Sequence, residues 1–345
     1  MTTRKDKKKI LQIILIIIAI ILLIFAGVFA WGYNKLKKTL NKIPKDSSRD
    51  QEIITNEDIV AIDVYKSFVI FGVDTRDNSL KRGNTDTIIV VNINDKTKDV
   101  KMASIYRDTY AYIPDIGYDK INSAYAREGY PLALSTINLN YDLDIKKYLT
   151  VNFKVLVEVI DFLDGITLDI KENELKHLNG YIYELNKINK TNVSPLKSAG
   201  KQNVNGTQAT AYARIRYTSG GDFKRTERQR IVIEKIFQKT KKLSFKKLNT
   251  MVDTFLPMVY TNFGNTDIMN LLKSFFSYKI ADETGFPFEK DTNNYNKESY
   301  VYPIDLQENV KKLHLFLYNE ENYIPSKNVK EYSAYIEDTR KKIKK

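Results

Sequence analysis

The chain has 345 residues, 43% of them hydrophobic and 12% aromatic, enough for one large domain or two small ones with a core of ordinary size. It contains no cysteine and only two histidines, His177 and His314, which excludes disulfides, thiolate catalysis and Cys-ligated zinc and leaves little material for a Ser-His-Asp triad. The net charge of +13 invites a nucleic-acid reading, but residues 4–9 carry +4 and residues 340–345 carry +5, so the body is nearer balance and no nucleic acid is expected as a partner.

Residues 1–9 form a basic tail. The stretch "ILQIILIIIAIILLIFAGVFAW" (10–31) is apolar except for Gln12, and as a helix it spans roughly 33 Å at 1.5 Å per residue, enough for a bilayer core. It is longer than the roughly 7–15 apolar residues of a cleaved signal peptide, and Trp31 and Tyr33 suit an interface. An uncleaved transmembrane anchor is therefore expected. Five Lys or Arg precede it and five Lys follow within 35–45, so flanking charge does not orient it. Residues 32–66 are polar and read as a stalk.

Short β-type runs follow at 67–74, 86–94 and 99–108, with a tight turn at 97–99 between the last two. The pattern then predicts a helix over 131–141, a strand over 146–153, a helix over 154–165 stopped by Gly165, and a strand over 166–170. Helices are expected over 205–218 and 222–242. Strands interleaved with helices predict a layered α/β/α domain with a central mixed sheet over residues 67–240. Residues 241–345 read as an extension packed on the same domain, with a helix near 265–279, a polar loop at 286–299 and a strand near 300–304.

Asp74 closes the first strand and Asp86 opens the second. If those strands are neighbours, both carboxylates sit at one rim of the sheet. Two acids there repel unless a cation lies between them, and such oxygen ligands suit Mg²⁺ or Mn²⁺. The competing reading is an aspartate that merely caps a turn. The segment "YRDTY" puts Arg107 and Asp108 at the end of the third strand, beside Asp86 if that strand returns antiparallel to the second. "GYDKINSAY" adds Lys120 and Asn122.

Arginine is scarce in this chain, 12 residues against 43 lysines, yet five of the twelve fall within 213–230: Arg214, Arg216, Arg225, Arg228 and Arg230. A guanidinium is a rigid fork that grips phosphate or carboxylate at two points, where an ammonium offers a point charge. In the helix expected from 222, positions 225, 228, 229, 232 and 236 share a face. Val232 and Ile236 must point to the core, so Arg225, Arg228 and Gln229 extend the buried face. Burying guanidinium groups is costly without anionic partners, and the first turns of a helix favour anions. An acid of the same chain is the competing partner. The Gly220–Gly221 hinge brings Arg214 and Arg216 towards the same place. Together these residues describe a site for a phosphate-rich ligand beside a divalent cation.

The motifs "GVDTRD", "NTDTIIV", "SIYRDT", "DKINSAY" and "YARIRYTSGGDFKRTERQ", in this order behind an apolar segment, resemble the LytR–CpsA–Psr family. The likeness covers roughly residues 67–240. It implies a Mg²⁺-dependent phosphotransferase outside the membrane of a Gram-positive-type bacterium. Such an enzyme transfers a teichoic acid, capsular or other wall polysaccharide from a polyprenyl-diphosphate carrier to a sugar hydroxyl of peptidoglycan. By the same resemblance Asp74 and Asp86 bind the metal, and Arg107, Arg216, Arg225, Arg228 and Gln229 line the diphosphate site. Arg76, Lys120 and Arg214 help, and an apolar cleft takes the lipid; the attacking hydroxyl needs a base, and Asp74, Asp86 or Asp108 can each serve. Three positions depart from the family pattern: Tyr106 replaces a usual proline, Asn84 an arginine, which weakens any role for Arg82, and Glu128 a glycine. The alternatives are hydrolysis of the same lipid diphosphate and a membrane-tethered transcription regulator, which would need its basic helix face outward.

Overall fold

A computed structural model describes residues 52–57, 59, 62–73, 83–295 and 298–343. The basic tail, the anchor expected at 10–31, most of the expected stalk, and Asp74, Arg76 and Arg82 lie outside the described residues. Among the described residues no helix is long and apolar enough to cross a membrane.

In chain order the first half holds strands β1 (Tyr65–Val73), β2 (Thr85–Asn94), β3 (Asp99–Ile105) and a hairpin of β4 (Tyr110–Ile113) and β5 (Gly117–Lys120). Helices α1 (Ser123–Glu128) and α2 (Tyr130–Tyr141) lead to β6 (Lys147–Asn152), α3 (Phe153–Phe162), β7 (Ile166–Ile170) and α4 (Glu172–Asn189). After β8 (Gly200–Val204) come α5 (Gly206–Arg214), α6 (Gly221–Thr240) and α7 (Phe245–Phe255). The remainder comprises β9 (Tyr260–Thr261), α8 (Asn265–Ser274), β10 (Lys279–Phe286), β11 (Lys290–Tyr295), β12 (Glu298–Pro303), α9 (Leu306–Tyr318) and α10 (Lys327–Ile343).

Six strands form the central sheet in the order β10-β3-β2-β1-β6-β9. β1 pairs antiparallel with β2 and parallel with β6; β3 pairs antiparallel with β2 and parallel with β10. The sheet is therefore mixed, as expected. The β2–β3 turn is set by Asn94, whose side-chain oxygen accepts from the amides of Lys96 and Thr97, a local bond that ends a strand. β1 and β2 approach closely at Gly72, where an added Cβ would lie 2.8 Å from Thr87 Cβ, and the register shifts there.

Alternate residues of the strands serve two layers. Val69, Phe71 and Val73 of β1, with Ile88, Val90, Ala103 and Ile105, join side chains of α1, α2, α9 and α10 in one buried cluster. On the other face, Ile70 and Gly72 look towards α3, α6, α7 and α8. The smaller sheet of β7 and β8 pairs antiparallel and shares a core with α4, α5 and α6.

Several boundaries differ from the sequence reading. β3 stops at Ile105, so Arg107 and Asp108 sit in a turn in which Thr109 N donates to Tyr106 O. The helix expected over 205–218 ends at Arg214, because Ile215 is extended with ψ 123°. α4, α7, α9, α10, β4, β5, β8, β9 and β10 carry no sequence expectation, and the segment expected as a polar loop at 286–299 holds β11 and the start of β12. β10 reads as polar because it is an edge strand with only Phe286 buried. The sheet takes β9 and β10 from beyond residue 240.

Candidate active site

Antiparallel pairing of β1 with β2 and of β2 with β3 brings the end of β1, the start of β2 and the end of β3 to one rim. The parallel neighbour β6 ends there too, and its last residue, Asn152, caps α3 by accepting from Val155 N. Ligands of α/β sheets sit at such carboxyl-end crevices. A cavity of about 320 Å³ opens at this rim, lined by Asp86, Arg107, Phe153, Tyr181, Arg214, Arg216, Arg225 and Gln229. Four arginines against one aspartate leave this lining three positive charges in excess. That excess suits a multiply charged anion.

Asp86 is the centre of the cluster. Its Oδ1 accepts from Arg107 Nη1 and lies 3.7 Å from Arg216 Nη2 and 3.9 Å from Arg225 Nη1. None of these contacts uses Oδ2. Asp222, at the start of α6, binds the same arginines from behind, 3.0 Å from Arg225 Nη2 and 3.7 Å from Arg216 Nε. Gly220, with φ 92° as the N-cap of α6, makes the turn that sets Asp222 there. Arg225 is only 2% exposed, and its Nε and Nη1 lack hydrogen-bond partners among the described residues. Burial pushes this guanidinium down to about 10, and the Arg107 and Arg216 charges push the same way while Asp222 and Asp86 oppose them. It is an underpaired buried cation aimed at a pocket.

Arg228, one turn further along α6, is used differently. Its Nε donates to Glu174 Oε1 at 2.8 Å, Nη1 to Ile215 O at 3.1 Å and Nη2 to Thr218 Oγ1 at 2.7 Å. All its directions are spent inside the chain, and it does not line the cavity. The structure thus separates Arg228 from the arginines it was grouped with. It fastens the 215–218 loop, which carries Arg216, to α4. Lys120 is also set apart, 2.9 Å from Glu298, 3.8 Å from Asp108 and 5.0 Å from the centre of the Tyr300 ring. Asp108 lies 3.4 Å from Arg107 Nε. The fifth arginine of the run, Arg230, faces Glu283 of β10 at 3.6 Å.

Beside the polar cavity lies an apolar one of about 510 Å³ between the sheet and α3, α6, α7 and α8. Phe153 and Gln229 line both. One site therefore joins a cationic head to an apolar chamber. Most of its far wall, including Met251, Val252, Phe255, Ile268 and Leu272, comes from beyond residue 240.

As a metal site, the rim offers the carboxylate oxygens of Asp86, hard donors of the kind Mg²⁺ takes. Groups of three or more His, Cys, Asp or Glu able to hold an ion are absent among the described residues, so Asp86 needs a further ligand, and Asp74 lies outside them.

Asp222, Phe153, Tyr181 and Glu174 were missed by sequence reasoning. Asp222 had a signal, an acid three residues before Arg225 on one helix face. Glu174 had none, because the helix that carries it was not expected and its partner is 54 residues away.

The LytR_cpsA_psr family model matches residues 30–314. Over 243 residues, 69% of this chain and 73% of the relative, the sequence is 32% identical to the polyisoprenyl-teichoic acid–peptidoglycan teichoic acid transferase TagU of Enterococcus faecalis. TagU of Bacillus subtilis is 33% identical over 70% of this chain and 73% of its own. Among solved structures, Bacillus subtilis TagT bound to LIIa-WTA superposes with a TM-score of 0.57 at 25% identity, covering 79% of this chain and 95% of that one. With the ordered motifs, the mixed α/β/α fold and a family match over more than half its length, the chain belongs to the LytR–CpsA–Psr family.

Proposed function

We propose that the protein is a membrane-anchored, Mg²⁺-dependent transferase acting outside the cell. It moves a teichoic acid or related wall glycopolymer from a polyprenyl-diphosphate carrier to a sugar hydroxyl of peptidoglycan. The observation that carries this reading is the junction at Phe153 and Gln229, where a cavity with three excess positive charges meets an apolar chamber of about 510 Å³. An anion with a long hydrocarbon tail matches both halves. The names of the TagU relatives support the same chemistry, and the apolar 10–31 segment supports the anchor.

In this reading Arg107, Arg216 and Arg225 hold the diphosphate oxygens, and Arg214 and Gln229 complete the lining. The hydroxyl oxygen attacks the sugar-bearing phosphorus, the bridging P–O bond breaks, and polyprenyl phosphate leaves with its charge held by the arginine cluster. A rim carboxylate, Asp74, Asp86 or Asp108, takes the hydroxyl proton. Asp86 and Asp74 would hold Mg²⁺, which when bound neutralises charge on the phosphates. The apolar walls position the tail and keep water from the phosphorus.

The test is product analysis with a short-chain prenyl-diphosphate glycan, with and without peptidoglycan. Prenyl phosphate release coupled to glycan appearing on peptidoglycan is the expected result. Release at equal rate without acceptor and no conjugate would make the protein a hydrolase instead.

A further inference from the structure

Two tyrosines lie side by side at the polar cavity, one of them in its lining. Tyr181 of α4 lines the cavity. Tyr217, in the loop after Arg216, is 74% exposed, and its ring lies 6.5 Å from that of Tyr181 at an interplanar angle of only 12°. His177, four residues before Tyr181 on the same helix face, has its ring 6.0 Å from Tyr217. The Arg214 guanidinium lies 5.8 Å from the centre of the Tyr181 ring and 5.3 Å from that of Phe153.

Tyr181 packs in part against the core of α4, α5 and α6, whereas Tyr217 does not. A tyrosine as exposed as Tyr217 buries little apolar area. Its backbone is nonetheless held in place, because Arg228 binds Ile215 O and Thr218 Oγ1 on either side of it. A fixed loop thus holds the Tyr217 ring nearly parallel to that of Tyr181 on α4, next to an anion pocket. Aromatic faces are electron-rich and attract the C–H bonds on the apolar side of a pyranose ring, while the sugar hydroxyls stay in water. We infer that Tyr181 and Tyr217, edged by His177, form a platform that seats the sugar ring joined directly to the diphosphate. This rests on the function proposed above. The donor sugar is favoured over the acceptor sugar because Arg214 touches Tyr181: a phosphate held by that arginine places the sugar bonded to it within one ring's length of the platform.

Calorimetric titration with farnesyl diphosphate, and with farnesyl diphosphate carrying N-acetylglucosamine, tests this. The wild-type protein binds the sugar-bearing lipid more tightly. Tyr217→Ala weakens that binding about two- to twelvefold, the span of one lost aromatic contact, and leaves farnesyl diphosphate unchanged; Tyr217→Trp restores it. Equal affinity of the wild type for the two lipids overturns the platform, as does an equal loss for both or no loss for either. If the wild type binds neither lipid, the proposed function itself fails and the platform with it.

Discussion

β1 shows two uses of one strand. Val69 and Phe71 are both 0% exposed in a filled layer beneath α2, α9 and α10. Their neighbours Ile70 and Gly72 face a chamber of about 510 Å³. Protein interiors are close-packed, and a void forfeits contacts. An apolar hollow at Ile70 and Gly72, where the opposite side of the same strand is close-packed at Val69 and Phe71, has room for a ligand of matching shape. Stability is concentrated on the filled face and function on the hollow one. The rim repeats the contrast at smaller scale, with Arg228 fully paired and Arg225 underpaired, three residues apart on α6.

The comparison breaks most visibly through the filled face. Phe71→Ala should cost about 3–5 kcal/mol of unfolding free energy, since it empties a fully buried ring site. Ile70→Ala, already beside a cavity, should cost clearly less. Equal losses in urea denaturation would dissolve the distinction between the two faces.

At the rim, Arg228→Met should destabilise by about 3 kcal/mol, because Glu174 is left buried without its cation. The figure lies at the lower end of the range since Glu174 keeps the bond from Lys171 N. Arg225→Met should leave the melting temperature of the ligand-free protein unchanged or raise it, as a guanidinium that burial already pushes down to about 10 is replaced by an apolar chain. Prenyl-diphosphate binding should fall sharply in the same variant. A collapse of stability in Arg225→Met with binding intact would make it scaffolding like Arg228.

The smallest effect is on pH dependence, and it belongs to the filled layer. His314 of α9 stacks on Tyr323 and shares a hydrogen bond with Tyr141 O. Burial holds its pKa below the usual value, against the pull of the Tyr141 carbonyl, Glu320 and Asp142. A depressed folded-state pKa means that the unfolded chain binds the extra proton first. The stabilising contribution is therefore present above the unfolded value near 6.5 and lost as pH falls below it. Melting temperatures should drop between pH 7 and 5.5 and drop less in His314→Gln. An identical profile in the two proteins would remove His314 from the account.

Much of this arrangement is legible in the sequence, and the limits are physical. The three strands that make the rim show as apolar runs, and their antiparallel return puts Arg107 beside Asp86 as anticipated. The inward face of α6 follows from Val232, which is 1% exposed. That same periodicity cannot tell Arg225 from Arg228, because both point inward and only the distant partner differs. Glu174 comes from a helix whose apolar stripe, Leu178, Ile182 and Leu185, is diluted by Asn179 and Gly180. The far wall of the chamber was hidden for another reason: half-buried side chains such as Val252 and Leu272 face a cavity, so their apolar pattern has no packed core to mark it.

The central claim is that the chamber holds the lipid tail of an anion bound at the arginines. Val151 of β6 lines the chamber beside Gly72, on the rigid sheet rather than on a helix that can shift. Val151→Phe adds bulk to empty space, so the melting temperature should hold or rise. Titration of this variant with farnesyl diphosphate should show at least a roughly tenfold loss of affinity, about 1.4 kcal/mol, relative to wild type. Unchanged affinity in a protein of unchanged stability would mean that the tail lies elsewhere, and the account of the hollow face would be wrong.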